Sequence, residues 1–147
     1  MTSSLDSNII IYSFDERDLH KQSIALDLVS HSMMRKAKLA TQVCGEVFRR
    51  LSAPTGLKVG NPWFALETLM SSHDLIHADA TVFKRAMQLA HETRRQFWDC
   101  LIIATCAAQD IKRLYTEDTG AEPHTVMGVE LVNPFLMEDW DEAFAIR

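Results

Sequence analysis

The stretch from Trp98 to Gln109 limits the possible folds more than any other. Leu101, Ile102, Ile103, Ala104, Cys106 and Ala107 make it apolar on nearly every side. A helix of that kind is central rather than peripheral. It is also well short of the roughly 20 apolar residues that a membrane span requires, and no other run approaches that length. Its one acid, Asp99, falls in the first turn, where the helix dipole favours a negative charge by about 0.3 to 1 kcal/mol. Taken alone, the helix explains Asp99 by dipole compensation.

A second acid stands at the threshold of another apolar run, in Leu5-Asp6-Ser7-Asn8-Ile9-Ile10-Ile11-Tyr12. Each isoleucine fully removed from water contributes about 1.5 to 3 kcal/mol, and Asp6 must follow the run at least as far as the rim. An unpartnered carboxylate beside a core is costly, which points to a metal ion, a cation or a functional cleft. The plainer reading is a helix or turn cap, since Asp-Ser-Asn is good capping chemistry. Propensity alone makes the isoleucine run a strand.

The rest of the chain alternates amphipathic helices with short strands. Asp18 caps a helix with Leu19, Leu26, Val29 and Met33 on one face, and Leu39 to Thr41 is a short strand. Gln42 to Leu51 is a helix with Val43, Val47 and Leu51 on its stripe. Glu46 lies off that stripe, three and four residues before Arg49 and Arg50, the spacing of a helical ion pair. Ser52 to Gly60 is a loop; Asn61-Pro62 opens a helix that turns Trp63, Leu66 and Met70 inward, with Trp63 and Phe64 as packing residues. Leu75-Ile76 is strand-like, and Asp79 caps a helix burying Val82, Phe83, Ala86, Met87 and Ala90. Arg113 to Thr116 is a strand that runs into Glu117-Asp118-Thr119-Gly120, and Val129 to Val132 is the last strand. Such alternation implies crossover units and a parallel sheet covered on both faces, a three-layer α/β domain. Sites in such sheets form beyond the carboxyl ends of the strands, so Asp6 and Asp118 can meet at one edge.

At 147 residues, with 47% hydrophobic and 24% charged side chains, the chain is expected to form one domain with a real core rather than a disordered segment. The opening residues lack the basic and apolar regions of a secretion signal, so a cytoplasmic protein with no membrane association is expected. Cys44, Cys100 and Cys106 lie in apolar helical surroundings without a Cys-x-x-Cys pair and read as buried reduced thiols. The net charge of −5 argues against a broad basic surface for nucleic acid, but most of it sits after Met137, where Glu138, Asp139, Asp141 and Glu142 face only Arg147.

Five segments in order, Leu-Asp-Ser-Asn at 5–8, Gln-Val-Cys-Gly-Glu at 42–46, Phe-Trp-Asp-Cys-Leu-Ile at 97–102, Leu-Tyr-Thr-Glu-Asp at 114–118 and Val-Asn-Pro-Phe at 132–135, resemble PIN-domain ribonucleases, in particular VapC-type toxins of toxin–antitoxin pairs. The resemblance implies an α/β/α domain with a short parallel sheet over residues 1–135; the acidic tail at 136–147 extends beyond the family's typical end. Leu136, Trp140 and Phe144 are at helical spacing in that tail. It implies an acidic cluster of Asp6, Glu46, Asp99 and Asp118. Ser7 and Asn8 support it, and Glu117 is a neighbour of lower rank. It also ends the first strand near Asp6 and makes Asn8 to Phe14 a short helix. Cys44 and Gly45 replace the bulkier residues more usual before the Glu.

The implied activity is hydrolysis of RNA by a Mg²⁺- or Mn²⁺-dependent endoribonuclease, with Asp6, Asp99 and Asp118 as metal ligands. Glu46 binds the ion directly or orients a water. Oxygen donors suit these hard cations, and crowded carboxylates without one repel each other. Arg49, Arg50, Arg94 and Arg95 are candidates for RNA phosphates, with solvated helix ends as the plain alternative. A protein antitoxin and a homodimer are the implied partners. The competing readings are a PIN-like module that binds metal and a partner without cleaving, and a PIN nuclease outside any toxin–antitoxin system. His73-Asp74-Leu75-Ile76-His77 imitates a zinc-protease helix but lies in a strand-like context, which leaves two polar surface histidines. A phospho-receiver domain is excluded because Lys112 precedes its strand instead of following it.

Overall fold

In the computed structural model the described residues are 2–137. The tail positions Trp140 and Phe144, and the helix expected there, lie outside them. The elements run β1 (Ser3–Leu5), α1 (Ser7–Tyr12), α2 (Leu19–Met34), β2 (Lys38–Ala40), α3 (Thr41–Ser52), α4 (Pro62–Ser71), β3 (Asp74–Ile76), α5 (Ala80–Thr93), α6 (Phe97–Ala108), β4 (Arg113–Tyr115), β5 (Thr125–Val126), β6 (Val129–Val132) and a closing 3₁₀ turn (Pro134–Leu136). The result is the three-layer α/β/α arrangement. β1, β4 and β6 are parallel, in the order β1-β4-β6-β5, and β2 pairs with β3 in parallel. The Ser4 hydroxyl donates to the Lys38 carbonyl at 2.7 Å and ties β1 to β2.

One departure from the parallel sheet is β5, a two-residue edge strand antiparallel to β6. Two residues are too few to show a period. The Ile9-Ile10-Ile11 run is helical: Asp6 caps it, and α1 packs against both α2 and α3 with Ile9 and Ile10 buried. Ile9 and Ile10 are fully buried, as are Leu39, Val43, Val47, Ile103, Leu114 and Val129. α6 is the central helix, with every residue from Cys100 to Cys106 buried and α5 packed along it.

Several helices present a different face from the one the spacing suggested. α2 buries Ile24, Ala25 and Leu28, while Leu19 and Leu26 are exposed. Apolar residues occur all round this helix, so spacing alone does not pick out the stripe of Ile24, Ala25 and Leu28 that packs. α4 buries Leu66 and Leu69; Trp63, 64% exposed, and Phe64, 67% exposed, stand outside, with Met70 partly so. α5 buries Val82, Ala86 and Leu89, and turns Phe83 and Met87 outward. Phe83 instead joins a surface aromatic row with Phe97 and Trp98, at centroid distances of 4.9 and 5.0 Å. The cysteines are free and buried.

His73 also differs from the expectation. It is buried, not a surface residue. Its Nδ1 lies 2.7 Å from the Leu69 carbonyl, which can only accept, so the neutral ring accepts at Nε2 from the Ser32 hydroxyl at 2.6 Å. Burial pushes its pKa down, which keeps the ring neutral. The segment that follows is β3, so no helix aligns His73 with His77.

Candidate active site

The sheet register decides where the acids meet. Leu5 is opposite Tyr115, and Tyr115 is opposite Val132, so the three parallel strands end level. The ladder continues for one more bond at each seam, Asp6 N–H to the Tyr115 carbonyl and Thr116 N–H to the Val132 carbonyl, both 2.9 Å. Asp6 and Thr116 therefore stand side by side just beyond the strand ends, and Asp118 follows two residues later.

Asp6 is both a cap and a site residue. Its Oδ1 accepts from the Ser7 N–H at 2.7 Å, and its Oδ2 accepts from the Thr116 hydroxyl at 2.8 Å. Burial raises its pKa most; the Thr116 and Ser7 bonds oppose that, and the charges of Glu46 and Asp118 add to it. Asp99 enters from the first turn of α6. Burial, then the charges of Asp118, Asp6 and Glu46, and a hydrogen bond with Asp118 push its pKa up to about 6. These causes show that the four acids named from the sequence share one electrostatic neighbourhood.

Glu46 reaches that neighbourhood from α3 and is held by neutral donors. Ser7 Oγ–H donates to it at 2.6 Å and Gln42 Nε2 at 2.9 Å, while the same Gln42 nitrogen donates to the Trp98 carbonyl at 2.9 Å. Among the described residues no ion pair joins Glu46 to Arg49 or Arg50, so the helical pair suggested by the spacing is not formed. Glu117 turns away from the other acids: Lys21 grips it at 2.6 Å and the Tyr12 hydroxyl donates to it at 2.8 Å. Lys21 also lies 4.8 Å from the Tyr12 ring centre. Asn8 accepts from the Glu117 N–H at 3.2 Å and so ties α1 to the β4 exit.

Thr116 is the residue that sequence reasoning missed. Buried and level with Asp6, its hydroxyl donates to Asp6 and accepts the Asp118 N–H at 3.1 Å, joining two acids from different strands. The only signal was its place in Leu-Tyr-Thr-Glu-Asp, and a threonine there also reads as an ordinary strand residue.

A cavity of about 320 Å³ opens at this edge, lined by Asp6, Asp99, Thr116 and Asp118 together with Arg94 and Arg95. A second cleft of about 630 Å³ carries Ser7, Glu46, Arg49, Arg50 and Trp98, and Asp99 borders both. Arg94 is exposed and closes α5 in a left-handed conformation, φ 61°. Arg95 is committed inside the protein: its guanidinium donates to the carbonyls of Thr119 at 3.1 Å, Ala121 at 2.7 Å and Pro123 at 2.9 Å. The sequence placed Arg95 with the RNA contacts; three of its five N–H donors are used within the chain.

Oxygen donors gathered where burial, and then one another's charge, raise Asp6 and Asp99 fit a hard divalent cation in kind. As the side chains lie, no group of three or more His, Cys, Asp or Glu among the described residues is arranged to hold a metal ion. The donor set thus fits Mg²⁺-like binding through one or two carboxylates, with water completing the shell, and not an all-protein cage.

A three-layer α/β domain with carboxylates gathered beyond level parallel strands defines a class of acidic-site domains. Residues 4–122 match the family model of the PIN domain, and the chain belongs to that family. Similar solved structures include VapC20 of Mycobacterium tuberculosis, a Sarcin-Ricin loop cleaving toxin, at 17% identity and TM-score 0.60 over 80% of this chain and 90% of that one. FitAcB from Neisseria gonorrhoeae is 16% identical, TM-score 0.65, over 92% of this chain and all of the other. FitAB bound to an IR36 DNA fragment is 17% identical, TM-score 0.67, over 94% and 99%. At these identities the likeness is one of fold. A comparison with curated protein sequences found no match. No helix among the described residues is long and apolar enough to cross a membrane.

Proposed function

We propose that this PIN domain is a Mg²⁺- or Mn²⁺-dependent endoribonuclease that acts as the toxin of a toxin–antitoxin pair. The observation that carries the reading is the convergence of Asp6, Asp99 and Asp118 at one sheet edge, where burial and then the neighbouring acids' charges raise Asp99 to about 6. Of Asp6, Asp99 and Asp118, one or two would ligate the ion directly and the rest would meet it through its waters. When bound, it supplies charge compensation at the phosphoryl group and activation of water. Ser7 fixes Glu46 at the mouth of the neighbouring cleft, where Arg49 and Arg50 can meet RNA phosphates. The toxin role draws on the fold shared with VapC20 and the Fit proteins. The antitoxin is a protein that covers the acidic edge. The exposed Trp63, Phe64 and Met70 of α4 supply apolar surface for a second copy of the chain.

Purified protein is expected to cleave single-stranded or looped RNA with Mg²⁺ or Mn²⁺ and to stop when chelator is added. Asp6→Asn and Asp99→Asn should lose cleavage with the circular-dichroism spectrum unchanged. Wild-type turnover by either variant, in a preparation free of contaminating nuclease, would remove the acids from the reaction.

A further inference from the structure

We infer that Arg95 is a positioning residue: by gripping the loop after β4 it sets Asp118 against Asp99. The inference deepens the proposed nuclease reading and rests on it for its kinetic part. Thr119, whose carbonyl Arg95 holds at 3.1 Å, is the residue directly after Asp118. On the other side of Asp118, its N–H is held by the Thr116 hydroxyl at 3.1 Å. Asp118 is thereby fixed from both directions, once to the strand and once to the turn that leads into the Asp99 helix. Ala121 and Pro123 complete a crown of three carbonyls around one guanidinium. A planar fork holds its donors in a fixed geometry that the rotatable ammonium of a lysine does not reproduce.

The local backbone is shaped for this grip. Arg94 ends α5 in a left-handed conformation directly before Arg95, and the Arg95 carbonyl lies 3.8 Å from the Cys100 sulfur of α6. Gly120, between the two gripped residues 119 and 121, has φ +64°, and a Cβ there would come within 2.6 Å of Arg95 Nη1. A side chain at 120 would meet a guanidinium that cannot retreat without giving up its three carbonyls. Glycine at 120 and arginine at 95 form one device.

The test uses the full chain with Arg95→Lys, Arg95→Ala and Gly120→Ala. With RNA and Mn²⁺, kcat is expected to fall about tenfold to a hundredfold, the scale of an ångström-sized misplacement, while KM stays within about twofold. Millimolar guanidinium chloride should restore part of the Arg95→Ala rate by refilling the crown, and should do nothing for Gly120→Ala. A raised KM with unchanged kcat, together with a salt dependence of binding shallower by about 0.7 for the lost phosphate contact, would instead make Arg95 an RNA contact and overturn the inference. Amide exchange across residues 119–123 provides a readout that needs no activity: faster exchange in Arg95→Ala, slowed again by guanidinium, is expected. Unchanged exchange sinks the brace even if cleavage is altered. Altered exchange with no cleavage by wild type keeps the brace and sinks the nuclease reading.

Discussion

Neutralising Asp99 should stabilise the metal-free protein even as it destroys activity. In the fold the Asp99 pKa rises from 3.8 to about 6, and at about 1.4 kcal/mol for each pKa unit this sets a ceiling of about 3 kcal/mol. Asp99 is only partly buried, so solvent screening reduces that to about 2 kcal/mol. Asp99→Asn also gives up the helix-dipole attraction, about 0.3 to 1 kcal/mol, which leaves a net gain of about 1 kcal/mol. The sign follows from proton binding. Between about pH 4 and about pH 6 the folded protein holds the Asp99 proton more tightly than the unfolded chain does, so the favourable contribution present at low pH is lost as pH rises through the folded value. At pH 7 the loss is complete. His73, buried neutral with a lowered pKa, has the opposite effect: it destabilises the fold as pH falls below its unfolded value of about 6.5. The difference between variant and wild type cancels it. Thermal unfolding in chelator should therefore show Asp99→Asn about 2 to 4 °C above wild type at pH 7, with that excess disappearing toward pH 4. Mn²⁺ at a hundred times its dissociation constant should raise wild type by about 2.7 kcal/mol and Asp99→Asn by less. An apo variant less stable than wild type at pH 7 would refute the crowding argument and leave Asp99 as a helix-dipole partner.

Three further outcomes can be measured independently. His73→Phe should lower stability by about 1 to 3 kcal/mol in urea unfolding, because it leaves the Ser32 hydroxyl and the Leu69 carbonyl without their ring partner. Arg49→Ala with Arg50→Ala should raise KM for RNA and flatten its salt dependence, with kcat nearly unchanged, if these arginines meet phosphates beside Glu46; an unchanged KM would assign them to solvent. Trp63→Glu should shift sedimentation at tens of micromolar from dimer to monomer, and a wild type that sediments only as monomer would count against the dimer.

The acids were legible in the sequence because each stands at a fixed offset from an element that the sequence also marks: Asp6 after β1, Asp118 after β4, Asp99 in the first turn of the most apolar helix. Level strand ends then convert offsets along the chain into neighbours in space. Residues whose roles depend on partners without a period were not legible. Thr116 acts through a hydroxyl aimed sideways at Asp6, and Arg95 through three carbonyls of an irregular loop. Helix faces failed for another reason. Leu19, Trp63 and Phe83 are apolar residues at plausible spacing, and hydrophobicity alone does not distinguish a stripe that packs from one that faces solvent. The polarity of His73 suggests the surface, but its two partners, Ser32 and the Leu69 carbonyl, lie outside any sequence pattern and let the ring be buried.

The two readings of Asp6 drawn from the sequence, helix cap or functional acid, are compatible because they use different oxygens. Oδ1 closes the first turn of α1 through Ser7, and Oδ2 receives the Thr116 hydroxyl. A carboxylate has about four acceptor positions, so lone pairs remain for an ion after both bonds are made. The cap fixes the rotamer, and Thr116 fixes it again from the neighbouring strand. The choice of variant follows. Asparagine keeps an oxygen able to cap, so Asp6→Asn removes charge at little cost to the helix, whereas Asp6→Ala loses the cap as well, about 1 kcal/mol. If Asp6→Ala were inactive and Asp6→Asn active, the acid would be needed for the turn alone; inactivity of both, with only the alanine variant less stable, separates the charge from the cap.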